Sequence, residues 1–313
     1  MRRVAVTGAT GFIGWHVCAC LRSAGWSVAA VVRPDSRKPV PEGVQLVPAN
    51  LDIAALAEAC ANATVIVHAA GVTRARSLAE YRRVNVEGTR AVAETARALG
   101  ARMIHVSSLT AAGPAAADHP RTEVDAREPI TDYGRSKLEA EELIERMAGL
   151  RWTIVRPAAV YGPRDRQFLP LFQAARRGLF LRPANAGAFA LTFVHVDDVA
   201  RAMALACDRN SVDGDIFFLG FPVSRSLDSL LRTLALTFDR PYRPLSVPIT
   251  MVRLAAWLGV GGLGRERVCE LMSPGFVCNV ERASRRLGFE AAIDLEQGCR
   301  TTAAWYAGAR WLS

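Results

Sequence analysis

The sequence predicts an α/β protein with a doubly wound parallel sheet and a smaller, mostly helical C-terminal part. Three observations predict this class. Short β-branched runs alternate with helical patterns, the strand-like runs are nearly all apolar, and a glycine-rich turn follows the first run. Apolar strands are expected where helices cover both faces of a parallel sheet. Such a sheet binds its ligand at the carboxyl ends of its strands.

The first half of the chain alternates strands and helices in the order βαβαβ. The first helix carries its apolar residues on one face, and Gly25 ends it. Predicted strands cover 4–7, 27–32, 65–68, 103–107 and 152–156, and predicted helices cover 13–24, 78–99 and 132–147.

The pattern loosens after Gly162, where proline, glycine and arginine become frequent. The segments 193–195 and 215–219 are predicted to be strands that return to the sheet. We therefore expect a first domain over residues 1–165, completed by strands near 191–220. A smaller second domain over 166–313 is expected to close over it.

Composition and charge exclude several classes of protein. Of the 313 residues, 50% are hydrophobic and 22% are charged, which excludes a disordered chain and suffices for a large core. The 39 basic and 30 acidic residues give a net charge of +9, spread along the chain in short clusters. A nucleic-acid reader more often carries a dense basic stripe with interleaved aromatics, so no nucleic-acid partner is expected.

Cysteine usage and hydropathy bear on where the protein works. The seven cysteines are an odd number and scattered, which indicates a reducing cytoplasm rather than a disulfide-stapled secreted module. No apolar run reaches the roughly 20 residues of a transmembrane helix. The glycine-punctuated segment 7–14 is unlike the apolar part of a signal peptide. The apolar segment 252–263 is interpreted as a core helix, with a pocket wall or a peripheral membrane contact as alternatives.

The turn after the first strand has the sequence TGATGFIG, residues 7–14. Gly8 permits a tight turn, Gly11 lets the backbone approach a pyrophosphate, and Gly14 lets the helix pack on the strand. The free N–H groups and the positive end of the helix then face the phosphates. Because a strand and an amphipathic helix flank this turn, the sequence predicts dinucleotide binding rather than merely a tight loop.

The end of the second strand indicates which dinucleotide binds. An acidic residue there would hydrogen-bond the ribose hydroxyls of NAD. Here Arg33 follows the strand, with Arg37 and Lys38 close behind, and arginine can pair bidentately with a 2′-phosphate. We therefore expect NADP as the cofactor, while Asp35 keeps NAD open as the alternative.

A second motif, YGRSK, opens a predicted helix. Tyr133 and Lys137 are four residues apart and so lie on one helical face. An ammonium beside a phenol favours the phenolate, so Lys137 is expected to lower the pKa of Tyr133 and allow proton exchange near neutral pH. Ser107 and Ser108 end a predicted strand, where a hydroxyl can orient a carbonyl or an alcohol. The alternative is a surface helix and a Ser-Ser cap, since chance matches to Y-x-x-x-K are common.

Together these motifs resemble the extended short-chain dehydrogenase/reductase family, also called the NAD-dependent epimerase/dehydratase family, whose sheet is of the Rossmann type. The resemblance covers essentially the whole chain. Its motifs are TGATGFIG (7–14), HAAG (68–71), NVEGT (85–89), VSSLTAAG (106–113), YGRSK (133–137), RPAAVYGP (156–163), FVHVDDVARA (193–202) and LGFEAAIDLEQG (287–298).

The resemblance implies a catalytic triad of Ser108, Tyr133 and Lys137, with Tyr133 as the acid/base and Lys137 also holding the nicotinamide ribose. Asn50 and Leu51 stand where the family usually has Asp-Leu beside the adenine. A homodimer is expected through the helices near 78–99 and 132–147. Cofactor contacts are implied for Gly8, Gly11, Phe12, Ile13, Gly14, Arg33, Asn50, Leu51, Ala69, Ala70, Ser107, Tyr133, Lys137, Pro157 and Val160.

Two clusters could suggest a metal, and neither is interpreted as a metal site. His195, Asp197 and Asp198 fall in a segment that the family uses at a strand-to-helix junction, where Asp198 is expected to cap the helix. Cys18 and Cys20 have no second ligand pair within sequence range, so buried cysteines are expected instead.

Departures from the family's sugar-nucleotide members narrow the reaction. Leu109-Thr110 replaces the Asp-Glu pair of the dehydratases, and Ala158-Ala159 and 190–192 lack the asparagine and arginine expected near a substrate diphosphate. These changes resemble the branch of 3β-hydroxysteroid dehydrogenases and dihydroflavonol reductases.

The predicted function is therefore an NAD(P)-dependent oxidoreductase that acts on a secondary alcohol or ketone. Its substrate is expected to be a hydrophobic, sterol- or flavonoid-like small molecule. The alternatives are a nucleotide-sugar 4-epimerase with internally recycled NAD and a non-catalytic NADP-binding regulatory protein.

Overall fold

The computed structural model describes residues 2–257 and 265–312. Within these residues the strands are β1 (Arg3–Thr7), β2 (Ser27–Val32), β3 (Gln45–Pro48), β4 (Val65–His68), β5 (Arg102–Val106), β6 (Arg151–Pro157), β7 (Ala159–Tyr161), β8 (Leu181–Pro183), β9 (Ala190–Leu191), β10 (Phe193–His195), β11 (Asp215–Leu219), β12 (Arg225–Ser226), β13 (Leu245–Val247) and β14 (Gly275–Phe276). The helices are α1 (Phe12–Ser23), α2 (Ile53–Ala59), α3 (Leu78–Tyr81), α4 (Gly88–Ala98), α5 (Asp132–Glu145), α6 (Leu169–Arg176), α7 (Val196–Asp208), α8 (Leu227–Thr237), α9 (Ile249–Trp257), α10 (Arg265–Leu271) and α11 (Leu295–Gly308).

The central sheet has seven parallel strands in the order β11-β6-β5-β4-β1-β2-β3. The chain begins in the middle with β1, runs outward to β3, and then crosses to β4 on the other side of β1. This reversal is the topological switch point, where open α/β sheets bind their ligands. The prediction of a doubly wound parallel sheet is confirmed.

Helices cover both faces of the sheet, which explains its apolar strands. On one face, α1 and α7 bury Leu21 and Met203 against the strands. On the other face, α2, α4 and α5 bury Leu56, Val92 and Ile144. The site is therefore built on a rigid two-sided core.

The C-terminal part has an apolar core between α6, α8 and α11. Phe172, Leu230, Leu234 and Tyr306 lie at its buried centre. Short strands border it: β10 pairs with β7, β13 with β8, and β9 with both β12 and β14. The prediction of a mostly helical C-terminal part is confirmed.

The two segments that were expected to return to the sheet have different outcomes. β11 pairs in parallel with β6 at the edge of the sheet, as expected. β10 pairs instead with β7, outside the seven-stranded sheet, so the expectation for 193–195 is wrong. The reason is that the chain leaves the sheet after Pro157, and β7 then supplies β10 with a partner. Both α7 and β11 follow residue 165 yet belong to the sheet layers, and the division into domains stays a prediction.

The second and third crossovers also differ from the predicted elements. β3 and α2 were not predicted. The predicted helix over 78–99 is divided into α3 and α4 by a π-helical turn at Arg82–Glu87. This turn contains Asn85, whose contacts are described with the site.

None of the helices in the described ranges is both long and apolar enough to cross a bilayer. In the apolar segment 252–263, Val252 is buried and Leu254 is exposed. Residues 258–263 of that segment lie outside the described ranges.

Candidate active site

The glycine-rich turn joins β1 to α1 at the switch point. Gly8 has a φ of 71°, and the Gly11 N–H donates to the Gly8 carbonyl at 2.8 Å, which closes the turn. A Cβ on Gly14 would lie 2.2 Å from the Gly8 oxygen, so close packing here requires glycine. α1 begins with no side-chain cap and no acidic residue in its first turn. The N–H groups of Phe12 and Ile13 can therefore serve an anion such as a pyrophosphate.

The segment after β4 packs directly on this turn. A Cβ on Gly8 would lie 2.5 Å from the Ala70 nitrogen and 2.6 Å from the Ala69 oxygen. Further along the same sheet edge, Asn50 is exposed and Leu51 is half-buried. The implied cofactor residues from three strand ends thus line one edge, and the small side chains of Gly8, Ala69 and Ala70 leave room for a dinucleotide backbone.

Arg33 directly follows β2. Its side chain is 77% exposed, and its guanidinium lies 3.9 Å from Asp35, which is 81% exposed. An ion pair this loose and solvated contributes little, so the guanidinium can turn to another anion. Arg33 therefore presents an exposed guanidinium at the strand end where this fold contacts the ribose of a dinucleotide.

Two serines follow β5, as predicted. The Ser107 N–H donates to the Val155 carbonyl at 2.7 Å. The Ser108 Oγ begins a 3₁₀ turn and accepts hydrogen bonds from the Thr110 N–H at 3.2 Å and the Thr110 hydroxyl at 2.8 Å. Because these donors occupy its acceptor positions, the Ser108 proton is directed at another oxygen.

Tyr133 lies in the first turn of α5. Thr131 caps this helix by accepting from the Gly134 N–H at 3.1 Å. The pKa of Tyr133 is raised to about 12, chiefly by burial; a hydrogen bond with Ser108 opposes this shift, and the charge of Glu270 adds to it. Tyr133 is therefore a neutral phenol near pH 7, able to give a proton.

Lys137 is one helical turn beyond Tyr133 and is 4% exposed. Its Nζ donates to the Val106 carbonyl at 2.8 Å and lies 3.2 Å from His105 Nε2. Burial lowers the pKa of Lys137 to about 8, and Glu141 opposes this shift. The expectation that Lys137 lowers the pKa of Tyr133 is wrong for this arrangement, because desolvation of the phenol outweighs every opposing contribution.

Asn85 joins two parts of the site, and its role was not predicted. Its Nδ2 donates to the Val72 carbonyl at 3.0 Å and to Ser136 Oγ at 2.9 Å, while its Oδ1 accepts from the Val72 N–H at 2.9 Å. The loop after β4 is thereby tied to the catalytic helix α5. The motif NVEGT contains Asn85, but no local pattern indicates these long-range contacts.

His68 lies buried beneath the same loop. Its Nδ1 is 2.7 Å from Thr7 Oγ1 and its Nε2 is 3.0 Å from Thr89 Oγ1. The Thr89 hydroxyl donates to the Asn85 carbonyl at 2.6 Å, so it must accept from Nε2–H, and Nδ1 accepts from Thr7. Burial lowers the pKa of His68 to about 3, with Lys137 adding to the shift. His68 is therefore a neutral structural group.

Helix α10 reaches Tyr133 from the C-terminal part. Glu266 Oε1 accepts from the Tyr133 N–H at 3.1 Å, and Oε2 accepts from the Tyr81 hydroxyl at 2.9 Å. The rings of Tyr81 and Tyr133 have centroids 6.0 Å apart. The carboxylate thus lies at the positive end of α5, where backbone N–H groups lack intrahelical partners. Sequence analysis missed Glu266 because nothing local relates it to Tyr133.

The wall beside Ser108 is apolar. Leu109 is 2% exposed and belongs to a buried cluster with Phe189 and Phe276. Ala158 and Leu191 pack against this cluster. Leu109, Ala158 and Leu191 fall in the segments where sugar-nucleotide members were expected to carry polar side chains.

The two remaining implied cofactor residues lie near this wall. Pro157 is buried at the end of β6, and Val160 is half-buried in β7. Pro157 therefore stands at the carboxyl end of β6, and Val160 follows it in the short strand outside the seven-stranded sheet.

His195, Asp197 and Asp198 have structural partners. His195 is the cap of α7, since its Nδ1 accepts from the Asp197 N–H at 3.3 Å. Asp198 Oδ2 accepts from the N–H groups of Ala292 at 3.1 Å and Ile293 at 2.9 Å. The expectation that Asp198 caps α7 is wrong, because its carboxylate anchors the C-terminal segment instead. Among the residues that the structure describes, no group of three or more His, Cys, Asp or Glu could hold a metal ion.

Residues 4–220 match the NAD dependent epimerase/dehydratase family. This match covers more than half of the chain and includes the glycine-rich turn, Ser108, Tyr133 and Lys137. The protein belongs to this family. The resemblance inferred from the motifs is confirmed.

This epimerase/dehydratase family member aligns with two relatives over nearly their full lengths. It is 33% identical to the ceramide reductase of Caulobacter vibrioides, covering 99% of this chain and 96% of the relative. It is 32% identical to the 4-hydroxy-2-methyl-3-oxo-4-farnesyl-3,4-dihydroquinoline-1-oxide ketoreductase of Stigmatella aurantiaca, covering 95% and 94%. The crystal structure of MoeE5 in complex with UDP-glucose and NAD superposes with a TM-score of 0.81 at 27% identity, covering 98% of this chain and 99% of that chain. The family member is an NAD(P)-dependent oxidoreductase.

Proposed function

We propose that the protein transfers a hydride between NADP and a secondary alcohol or ketone of a hydrophobic, sterol- or flavonoid-like small molecule. The observation that carries this proposal is the apolar wall of Leu109, Ala158 and Leu191 beside Ser108. A buried wall of this kind offers no partner to a diphosphate, whose desolvation would then be uncompensated. This wall suits an apolar ring system or an alkyl chain. The names of the two aligned reductases support the same substrate class.

The proposed chemistry uses the hydroxyls of Ser108 and Tyr133. The bound dinucleotide supplies the hydride in the reductive direction. Ser108 and Tyr133 donate hydrogen bonds to the carbonyl oxygen, and Tyr133 gives its proton to that oxygen as negative charge develops. In the oxidative direction the same phenolic oxygen takes the proton back. Lys137 is proposed, by the family resemblance, to hold the nicotinamide ribose.

We also propose NADP rather than NAD as the cofactor. The exposed guanidinium of Arg33 at the end of β2 supports this choice, since it can pair with a 2′-phosphate. Asp35, its loose partner, can turn away without losing a buried contact.

The test is incubation of the purified protein with NADPH and hydrophobic ketones, and separately with sugar nucleotides. Net NADPH consumption with ketones supports the proposal. The bound UDP-glucose of MoeE5 favours the second candidate, a nucleotide-sugar 4-epimerase, which would form epimers at constant cofactor absorbance. Tight NADP binding without either reaction would indicate the non-catalytic regulatory protein and would contradict the proposal.

A homodimer through the outer faces of α4 and α5 is proposed as the working assembly. A groove between these helices is lined by both apolar and charged side chains, including Val86, Arg90, Leu143 and Met147. Light scattering should give about twice the 33.9 kDa of one chain. A reducing cytoplasm stays a prediction, which the seven free cysteines support.

A further inference from the structure

Helix α10 presents one face to the catalytic tyrosine. Glu266 contacts the Tyr133 N–H at 3.1 Å from the start of this helix. Glu270 follows four residues later and therefore lies on the same helical face. Its charge also raises the pKa of the Tyr133 phenol. Leu271, the next residue, packs on the apolar cluster beside Ser108. Glu270 thus shares a helical face with the residue that contacts Tyr133 and directly precedes a residue that packs on the apolar wall.

The carboxyl group of Glu270 is half-buried and lacks a hydrogen-bonding partner among the residues that the structure describes. The charge of Arg267 lowers its pKa and that of Glu266 raises it, and no ion pair joins Glu270 to Arg267 within the described ranges. The Arg267 guanidinium donates instead to Gln167 Oε1 at 3.3 Å. Burial raises the pKa of Glu270 to about 7. A half-buried carboxyl group with no protein donor is free to accept a hydrogen bond from a ligand.

We propose that Glu270 is a specificity-determining residue that accepts a hydrogen bond from a hydroxyl or amide N–H of the substrate, close to the reacting carbonyl. This inference rests on the proposed ketone reduction and narrows its substrate class. The preferred substrates are hydroxy- or acylamino-ketones with a large apolar portion. A carboxyl oxygen accepts in either protonation state, so such a donor is complementary throughout the neutral range. A site built to bond a substrate donor discriminates strongly against an analogue that lacks it.

The test uses a matched pair of long-chain ketones that differ in one hydrogen-bond donor. The first carries a hydroxyl on the carbon next to the carbonyl, and the second carries the O-methyl ether at that carbon, which accepts but does not donate. Wild-type protein, Glu270→Leu, Glu270→Gln and the surface control Glu281→Leu are compared by kcat/KM with NADPH. Glu281 is exposed and pairs with Arg285 at 2.8 Å. A parallel acylamino-ketone and its N-methyl derivative repeat the comparison for an amide donor.

The expected result is a preference of the wild type for the donor-bearing ketone by about 10-fold or more. Glu270→Leu should lose most of this preference, Glu270→Gln should retain part of it, and Glu281→Leu should keep all of it. If Glu270→Leu fails to fold, the Glu270→Gln ratio and the wild-type ratio still decide the matter. Equal kcat/KM for both members of each pair with wild type would overturn the inference while leaving ketone reduction intact. No NADPH consumption with any ketone would overturn the proposed function and this inference together.

Discussion

Glu266 and Tyr133 are 133 residues apart in the sequence and are joined by a hydrogen bond of 3.1 Å from the tyrosine N–H to the carboxylate. The contact links α10, in the C-terminal part, to the first turn of the catalytic helix α5. The same carboxylate accepts from Tyr81 at 2.9 Å, which holds a second ring against Tyr133. The orientation of the phenol therefore depends on the packing of α10 against the first turn of α5.

Removing this contact should lower kcat more than it weakens binding of the ketone. We expect Glu266→Ala to lower kcat by about 10-fold, because Tyr133 would no longer be held in its reactive geometry. Glu266→Gln keeps an oxygen that accepts from the Tyr133 N–H and should recover much of the rate. Steady-state kinetics of both variants is the measurement, with the exposed Glu296→Ala as the control. A kcat of Glu266→Ala equal to that of wild type would disprove the coupling.

Cofactor preference should depend on Arg33. We expect Arg33→Asp to weaken NADPH binding by about 10-fold or more relative to NADH, because the carboxylate repels a 2′-phosphate and can accept from a ribose hydroxyl. Kd values for both dinucleotides, measured by fluorescence titration, give the ratio. Arg300→Asp is the control, since Arg300 is also exposed and pairs with an acid, Glu296, at 3.4 Å. Equal weakening of NADH and NADPH would count against the assignment.

The sheet and the glycine-rich turn could be predicted because their signals are local. The interior strands are nearly all apolar because helices cover both faces, and β2 and β4 have the bounds predicted for them. β3 escaped prediction because it is an edge strand whose residues are largely exposed and end in Pro48. Its sequence therefore lacks the apolar run that marks the interior strands.

The parts of the site that were missed depend on contacts between distant residues. The predicted helix over 78–99 is interrupted where the Asn85 side chain hydrogen-bonds Val72 and Ser136. Helical periodicity does not indicate such long-range hydrogen bonds. No sequence pattern relates Glu266 or Glu270 to Tyr133 either. In the sequence both are only charged residues in a short helical segment. The expected direction of the Tyr133 pKa shift was wrong, because the spacing indicates proximity to Lys137 but not how far the phenol is desolvated.

The stability of the protein should carry the signature of a buried lysine. The pKa of Lys137 is about 8 in the folded state, against about 10.4 in an unfolded chain. Between these values the unfolded state binds more protons, so the free energy of unfolding rises with pH across the window. Relative to Lys137→Met, wild type should be less stable at pH 7 by about 1–3 kcal/mol, and the gap should narrow toward pH 10.

Chemical denaturation of both proteins at several pH values measures this gap. Lys38→Met is the matched control, because Lys38 is the other lysine of the sequence and is exposed. It should leave the pH dependence unchanged. Parallel curves for wild type and Lys137→Met would show that Lys137 keeps an ordinary pKa, contrary to the burial argument.

The central claim is that the Tyr133 hydroxyl moves the proton during hydride transfer. The most direct test is the rate of ketone reduction by Tyr133→Phe at saturating NADPH, beside Tyr242→Phe, whose hydroxyl bonds Asp228 at 2.6 Å in the C-terminal part. We predict that Tyr133→Phe keeps its fold and NADPH affinity but loses about 10²- to 10⁴-fold in kcat, while Tyr242→Phe stays near wild type. A Tyr133→Phe enzyme that reduces the ketone at the wild-type rate would contradict the account.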